Sequence, residues 1–359
     1  MYKYLLVILE KGAASFCHYS NPYYHSLRQP SFMPLELLEK VIRYARDNDL
    51  FINFLYGKHR PSFEYEKLID TIAHVKMIPV SLHEAYPDGV LVLDAGDRLS
   101  FKEIARDLGR NIILRVERAD LSCLGADLEA LKGKFKRLNL HVVGVERFTE
   151  QDIALYESQL KKISAALQQS YKVGEEIEIN VLTDRMLLPQ MNNCDAGVKH
   201  LTIAPNGKGY VCPAFYHDDE DANAIGVWNE DQELEIVNQR LLSLECAPIC
   251  SQCDAFQCKR CVYLNKITTL EINVPSKEQC LLAHTEREMS RQMLNKLRNI
   301  EPFNKLPAIR SLNYQDPFDI VAQPIGPPPM LETDSPDDLG TQEYLAQIYE
   351  MQKKILRKL

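Results

Sequence analysis

Eight of the ten cysteines in this 359-residue chain lie between residues 194 and 280. Thiols so closely spaced converge on one place only when something electrophilic holds them, and the candidates are disulfides, zinc and iron–sulfur clusters. The choice among these three constrains the fold more than any other feature of the chain. The order is Cys194-x12-Gly207-x4-Cys212, then Cys246-x3-Cys250-x2-Cys253-x4-Cys258-x2-Cys261, and finally Cys280.

Disulfides are the least favoured of the three. The first residues, MYKYLLVILEKG, have no basic region before a long apolar core and no cleavage site of small residues, so they do not resemble a secretion signal. No apolar stretch approaches the ~20 residues that a membrane span needs. We therefore expect a cytoplasmic chain with no membrane partner, whose thiols stay reduced and bind metal or act in catalysis.

The spacing favours iron–sulfur clusters, with zinc as the alternative. Zinc ribbons place roughly 15–20 residues between two Cys-x2-Cys pairs, whereas only four residues separate Cys253 from Cys258. Cubane clusters take four thiolates each, and short cysteine runs often lend one cysteine to a second cluster. Eight thiols make two sets of four, so we expect two 4Fe–4S clusters.

In the first half of the chain, apolar segments typical of strands alternate with segments of helical periodicity, which predicts an α/β fold with a parallel sheet. About 185 residues suit a partial barrel of about six strands better than a complete (β/α)8 barrel of ~250 residues. Predicted strands are Tyr4–Leu9, Leu50–Leu55, Met77–Val80, Val90–Leu93, Ile112–Val116, Leu140–Val145 and Ile177–Leu182. Predicted helices are Leu35–Ala45, Phe101–Leu108, Leu128–Leu138 and Ile153–Leu167.

A hairpin is predicted within the cysteine-rich region. Asn206-Gly207 is a strong two-residue turn signal, and it lies between the apolar segments Leu201–Ala204 and Tyr210–Val211. Such a hairpin would bring Cys194 and Cys212 towards one side.

The stretch from Cys194 to Cys280 resembles a SPASM domain, the auxiliary-cluster module that follows the barrel in many radical SAM peptide-modifying enzymes. Gly207-x4-Cys212 and the text LTIAPNGKGYVCPAF match the first half of that pattern. The family's Cys-x2-Cys-x5-Cys-x3-Cys run is one residue shorter here in each of its last two spacings. The resemblance implies a partial (β/α)6 radical-SAM-like TIM barrel over residues 1–188, a SPASM-like metal-binding domain over 189–285, and a helix, Pro-rich linker and terminal helix over 286–359.

The resemblance also implies a partition of the cysteines between an inner and an outer cluster. The expected inner ligands are Cys194, Cys212 and Cys261, with the additional Cys246 as the fourth. The expected outer ligands are Cys250, Cys253, Cys258 and Cys280. The charges of Lys259 and Arg260, within the run, are expected to offset the negative charge of the clusters.

The same resemblance predicts that SAM chemistry is missing. The family binds its first cluster through Cys-x3-Cys-x2-Cys in the loop after strand one; here Cys17 is present, but Asn21 and Tyr24 take the other two places. The family's Gly-Gly-Glu-Pro loop would fall at residues 56–61, which keep one glycine and one proline but no acid. We expect neither SAM binding nor its reductive cleavage, and no catalytic residue is predicted.

Over residues 1–290 the chain most resembles the CXXX repeat peptide maturase group, whose precursors carry cysteine at every fourth residue. The text CAPICSQCDAFQCKRCVYLNKITTLEINVPSKEQC carries this resemblance. It implies maturation of a ribosomally made precursor peptide (RiPP biosynthesis), as an enzyme or as the redox or binding partner of an active radical SAM enzyme or another maturation protein. The alternative is a non-catalytic, zinc-stabilised peptide-binding scaffold.

Three further expectations concern partners and single residues. The net charge of −8, without a basic stripe interleaved with aromatic residues, excludes nucleic acid as a partner. A precursor is expected to add a strand to an open edge of the sheet. We expect His217, beside the acidic run Asp218–Asp221, to be a surface residue, and the isolated Cys17 and Cys123 to be small buried hydrophobes.

Overall fold

A single sheet is the frame of the molecule. In this computed structural model, which describes residues 2–20, 22–25, 29–102, 104, 109–231 and 234–312, the strands are β1 (Tyr4–Ile8), β2 (Phe51–Leu55), β3 (His74–Pro79), β4 (Val90–Asp94), β5 (Asn111–Val116), β6 (Arg137–Val142), β7 (Glu178–Ile179), β8 (His200–Ile203), β9 (Lys208–Tyr210) and β10 (Gly226–Val227). They pair in the order β10-β9-β8-β1-β2-β3-β4-β5-β6-β7. Strands β1 to β7 run parallel, β8 runs parallel to β1, and β9 and β10 are antiparallel additions.

Helices separate several of the strands. They are α1 (Pro22–His25), α2 (Leu35–Asp47), α3 (Phe63–Ile69), α4 (Leu124–Leu131), α5 (Glu150–Lys172), α6 (Asn180–Leu187), α7 (Pro213–Asp218), α8 (Val262–Thr269) and α9 (Lys277–Leu297). In α2 the predicted apolar face is the buried one, with Leu38 and Val41 at helical spacing. Thr149 and Asp152 form a capping box at the start of α5, which satisfies two backbone amides there. The α/β class with a mostly parallel sheet is therefore confirmed.

Two predicted elements were wrong in part. The helix expected over Leu128–Leu138 stops at Leu131, because Lys132 is extended and Gly133 takes a φ of 77°, and β6 then begins at Arg137. The strand expected over Ile177–Leu182 is limited to β7. Asn180 explains this change, since its side chain accepts from the amide of Leu140 at 2.7 Å and donates to the carbonyl of Leu140 at 3.2 Å.

Other sequence predictions lie largely or wholly outside the described residues. The predicted helix Phe101–Leu108 lies largely outside the described residues, with a 3₁₀ turn over Ser100–Lys102 at its start. The Pro-rich linker beyond residue 312 and the terminal helix also lie outside the described residues. Residues 1–312 form one compact unit, and the predicted boundaries at 188 and 285 stay predictions.

The two faces of the sheet carry different side chains. Successive strand residues point to opposite faces, so Leu5 and Val7 lie in the large apolar core with α2 and α5, whereas Ile8 packs in a second cluster with Cys212 and Cys261. We call these the helix face and the thiol face. The apolar side chains of β1 on both faces explain why this strand lies in the middle of the sheet.

The predicted hairpin is confirmed, and it positions the cysteine-rich region. Gly207 has a φ of 76° in the turn between β8 and β9, a conformation that glycine adopts without strain. Because β8 pairs with β1, with Val7 opposite Ile203, the hairpin extends the sheet beside β1. At the two ends of the sheet, β7 and β10 have two residues each, so the described edges offer little template for strand addition.

Candidate metal centre

A row of polar side chains crosses the thiol face where three neighbouring strands end. Asp94 of β4 pairs in register with Arg115 of β5, and Arg115 pairs with His141 of β6. Strand alternation puts all three on the thiol face, since their neighbours Leu114 and Leu140 lie in the core on the helix face. The carboxyl ends of parallel strands are where α/β folds commonly place functional groups.

Arg115 holds the loop that follows β1 against this row. Its Nε donates to the carbonyl of Cys17 at 3.1 Å, its Nη2 to the carbonyl of Tyr19 at 3.0 Å, and its Nη1 to Oδ1 of Asp94 at 2.7 Å. Only 6% of Arg115 is exposed, so water does not replace a bond that is lost. The segment that carries Cys17 is therefore fixed on the thiol face.

Four thiols from separate segments of the chain lie together on this face. Cys17 and Cys194 pack against the buried cluster that contains Cys212 and Cys261. Burial raises the pKa of all four thiols, and that of Cys261 to about 12. In each of the six pairs among them, the charge of one thiol further raises the pKa of the other. We call these four residues the inner thiol group.

Backbone contacts fix two members of the inner thiol group. The amide of Cys194 donates to the carbonyl of Lys259 at 2.8 Å, which ties the start of the cysteine-rich region to its central run. Cys261 is the N-cap of α8, and its Sγ accepts from the amide of Leu264 at 3.4 Å. A sulfur that accepts an amide hydrogen is better able to carry negative charge.

A second set of thiols, Cys250, Cys253 and Cys258, forms the outer thiol group. Burial and the neighbouring thiol of Cys253 raise the pKa of Cys250 to about 11, and burial raises that of Cys258 beyond its ordinary range. The amide of Ala255 donates to Cys253 Sγ at 3.4 Å, and the amide of Arg260 donates to Cys258 Sγ at the same distance. Backbone amides therefore donate to sulfur in both groups.

Helix α9 brings a histidine and the last predicted ligand towards the outer thiol group. His284 Nε2 lies 3.5 Å from Cys253 Sγ. Cys280 is four residues earlier on the same helix, so it shares a face with His284 one turn away. Sequence reasoning missed His284, although the spacing Cys280-x3-His284 was the signal.

Two cations lie between the groups. Burial lowers the pKa of Lys259, and Asp184 with the thiolates of Cys194 and Cys258 acts in the opposite direction. Arg260 is 1% exposed, and burial lowers its pKa against the influence of Cys250 and other anionic groups. Lys259 and Arg260 thus lie close enough to the thiols to offset thiolate charge, as expected from the sequence.

A cavity of about 70 Å³ reaches both thiol groups. Burial and the charge of Arg115 lower the pKa of His18 to about 4, so this side chain is neutral at pH 7. Burial raises the pKa of Glu286 to about 7, against hydrogen bonds from Tyr156 and Gln257. The lining includes His18, His141, Cys258, Lys259, Cys261 and Glu286.

The structure brings six of the eight predicted ligands into the two groups. Cys280 lies one turn from His284, and the half-buried Cys246 lies in a 3₁₀ turn over Leu244–Cys246, outside both groups. None of the described cysteines forms a disulfide. Within the described ranges, no three His, Cys, Asp or Glu side chains are spaced to hold a single metal ion.

Two residues near Cys17 are buried, and one of them was predicted to be exposed. His217, predicted as a surface residue, is 3% exposed and stacks on Tyr19 with ring centroids 4.9 Å apart. Tyr24, predicted at a lost ligand position, is buried and packs against His217 and Tyr216. An aromatic cluster therefore covers the loop, whereas the other predicted lost position, Asn21, lies outside the described residues.

Glu10 accounts for the surviving glycine of the loop after β2. A Cβ on Gly57 would lie 2.1 Å from Oε2 of Glu10. Glu10 accepts from the amide of His59 at 3.2 Å and also contacts its ring. A carboxylate from the end of β1 thus occupies the space beside this loop, and glycine is needed for the close approach.

No protein-family model and no curated protein matches this chain. Among solved structures, the chain is similar to SuiB of Streptococcus suis, with 11% identity and a TM-score of 0.36 over 67% of this chain and 65% of SuiB. A second SuiB structure, with the precursor peptide SuiA bound, gives 12% identity and a TM-score of 0.34 over 67% and 64%. The chain thus matches somewhat less than two thirds of SuiB, and these TM-scores are too low to assign a shared fold.

None of the described helices is long and apolar enough to cross a membrane.

Proposed function

We propose that this chain is a SPASM-type iron–sulfur protein that acts in the maturation of a ribosomally made, cysteine-containing peptide without cleaving SAM reductively. The observation that carries the proposal is the gathering of buried and partly buried thiols into two groups, each with at least one amide hydrogen donated to sulfur. The proposed cofactors are two 4Fe–4S clusters, one held by the inner ligands Cys194, Cys212 and Cys261 and the other by the outer ligands Cys250, Cys253, Cys258 and Cys280.

The donor set fits such clusters. Thiolates are the usual protein ligands of iron–sulfur clusters, and hydrogen bonds to sulfur tune their reduction potential. Buried thiols with raised pKa values are poor nucleophiles when metal-free, and binding a metal drives their deprotonation. Lys259 and Arg260 supply positive charge close to both groups.

When bound, the clusters would supply one-electron transfer. The chain's own residues would position the peptide and handle protons in the cavity between the two groups. The carboxyl group of Glu286, with a pKa of about 7, is able to take up or release a proton at neutral pH. Its Oε1 accepts from Tyr156 at 2.8 Å and its Oε2 from Gln257 at 3.3 Å, which fixes its orientation.

The test of the cofactor is the content of iron, acid-labile sulfide and zinc in protein purified without oxygen. We expect about eight iron and eight sulfide per chain, with a broad absorbance band in the visible. Zinc with no sulfide would overturn the proposal and favour the zinc-stabilised scaffold. The same protein with dithionite and SAM is expected to give no 5′-deoxyadenosine, and turnover of SAM would contradict the loss of its cluster site.

The test of the partner uses a synthetic peptide with cysteine at every fourth residue. A matched peptide with serine in place of each cysteine is the control. We expect the cysteine peptide to bind at least ~10-fold more tightly by fluorescence anisotropy, equivalent to about 1.4 kcal/mol. Equal binding of the two peptides would contradict recognition of peptide thiols.

A further inference from the structure

We propose that Cys17 is the fourth ligand of the inner cluster, and that Cys246 is not. This inference rests on the proposed function in that it names a ligand of one of its clusters. In the sequence, Cys17 is the one cysteine left in a loop that has lost its other two cluster ligands. In the structure, Cys17 instead packs with the inner thiols of the cysteine-rich region.

The first support is the path of the loop after β1. The amide of Ala14 donates to the carbonyl of Tyr56 at 2.9 Å, which fixes the loop before Cys17. Arg115 binds the carbonyl of Cys17 itself and that of Tyr19. Tyr19 stacks on His217 of α7, which begins next to Cys212. The backbone around Cys17 is thus held on both sides, and one of its anchors reaches the element that carries another inner thiol.

The second support is the surroundings of the Cys17 side chain. It packs against the same buried cluster as the other inner thiols. After burial, the groups that most raise its pKa are the thiols of Cys261 and Cys194, and Cys17 in turn raises the pKa of Cys212. Three of the four predicted inner ligands, Cys194, Cys212 and Cys261, therefore share the surroundings of Cys17.

Cys246 has different surroundings. Among the described residues, it belongs neither to the apolar cluster that the four inner thiols join nor to the one around Cys250 and Cys253. The main groups that raise the pKa of Cys17, Cys212 and Cys261 include at least one other inner thiol, whereas Cys246 is not among the main groups acting on any inner thiol and acts on Arg260 instead. Three of the four inner positions agree with the sequence prediction, and the fourth is filled from the loop after β1 rather than from the cysteine run.

Ligation by Cys17 has a functional consequence. The thiol would lose its proton on binding, and the inner cluster would then have four protein ligands. A cluster with four thiolates has no open iron site for a substrate, so the inner cluster would transfer electrons rather than bind the peptide. The loop after β1 would also depend on the cluster for its position.

The experiment compares Cys17→Ser, Cys246→Ser and the matched control Cys123→Ser, an exposed cysteine outside both groups, each purified without oxygen. For Cys17→Ser we expect iron and sulfide to fall from about eight to about four per chain, or the EPR spectrum of the dithionite-reduced protein to change for one cluster. Cys246→Ser and Cys123→Ser are expected to keep the wild-type content and spectrum. A Cys17→Ser protein identical to wild type, or a loss confined to Cys246→Ser, would overturn the inference.

A second measurement needs no variant and covers the case in which Cys17→Ser does not fold. Wild-type holoprotein is alkylated under native conditions, before and after removal of the metal with chelator and oxidant, and each labelled cysteine is located by mass spectrometry. We expect Cys17 to be labelled only after metal removal, and Cys246 to be labelled in both samples. The opposite pattern would overturn the inference.

These results separate the two proposals. The metal and sulfide content of the wild type tests the proposed function, whereas the difference between the variants tests the ligand assignment. If the wild type holds zinc, Cys17→Ser is still expected to lose zinc and Cys246→Ser to keep it.

Discussion

The inner and outer thiol groups are built in different ways. The outer group comes from one short run, Cys250 to Cys258, whereas the inner group collects residues that are up to 244 positions apart, from Cys17 to Cys261. The inner group packs in one cluster with Ile8 of β1 and Leu55 of β2, while Cys250 and Cys253 of the outer group pack in a small cluster with Met191 and Ala247. The outer group is thus a local structure, and the inner group depends on the whole sheet.

The largest effect is expected from removing one ligand of each group. Cross-links that join distant segments remove the most entropy from the unfolded chain, so Cys212→Ser should destabilise the protein more than Cys250→Ser. We expect a loss on the order of 4–5 kcal/mol for the inner variant, in the range for loss of a structural metal, and clearly less for the outer one. Thermal unfolding under anaerobic conditions measures both. Equal losses would show that the two groups contribute alike.

The comparison also explains what the sequence was able to predict. The outer group was predictable because Cys250, Cys253 and Cys258 are so close along the chain that they must also be close in space. The hairpin at Gly207 was predictable because its residues favour a two-residue turn. The inner group needs the pairing of β8 with β1 and the path of a loop, neither of which a local pattern encodes. Cys17 was therefore predicted as an isolated thiol.

Other residues were missed for physical reasons that can be named. Arg115 and His141 alternate with core residues along their strands, and such alternation indicates a face of the sheet but not a partner. His217 was predicted to be exposed because acidic residues follow it, yet stacking on Tyr19 buries it. Asn180 ends β7 through side-chain bonds to Leu140, a competition with strand pairing that periodicity does not detect.

The second prediction concerns Arg115→Met, which tests how far the inner group depends on the sheet. The variant would leave the carbonyls of Cys17 and Tyr19 buried without a donor. Each such group costs about 1–3 kcal/mol, so we expect a loss of roughly 2–4 kcal/mol and loss of iron from the inner cluster alone. Thermal unfolding and iron analysis measure the two effects. Arg147→Met, at an exposed arginine, is the matched control, and loss of outer-cluster iron in Arg115→Met would contradict the distinction.

The third prediction concerns pH and the cavity between the groups. Burial raises the pKa of Glu286 to about 7 in the folded state, above its value of about 4.3 in an unfolded chain. The stabilisation from the protonated form is therefore fully present below pH ~4 and is lost as the pH rises through about 7. Glu286→Gln keeps the shape without titrating. Its free energy of unfolding, relative to wild type, should rise by about 2 kcal/mol between pH 5.5 and 8.5. A constant difference across this range would contradict the raised pKa.

The smallest effect is expected at the contact between α9 and the outer thiol group. His284 lies 3.5 Å from Cys253 Sγ, while Cys280 is the proposed outer ligand one turn earlier. If His284 only donates a hydrogen bond to a bound sulfur, His284→Ala should keep full iron content and lower the reduction potential of the outer cluster. The expected shift is on the order of 40 mV, the equivalent of ~1 kcal/mol for a one-electron couple. Cys280→Ser should instead lose outer-cluster iron. The reverse result, with iron lost in His284→Ala and kept in Cys280→Ser, would make His284 the ligand. Even the local outer group would then include a ligand that is absent from the cysteine pattern.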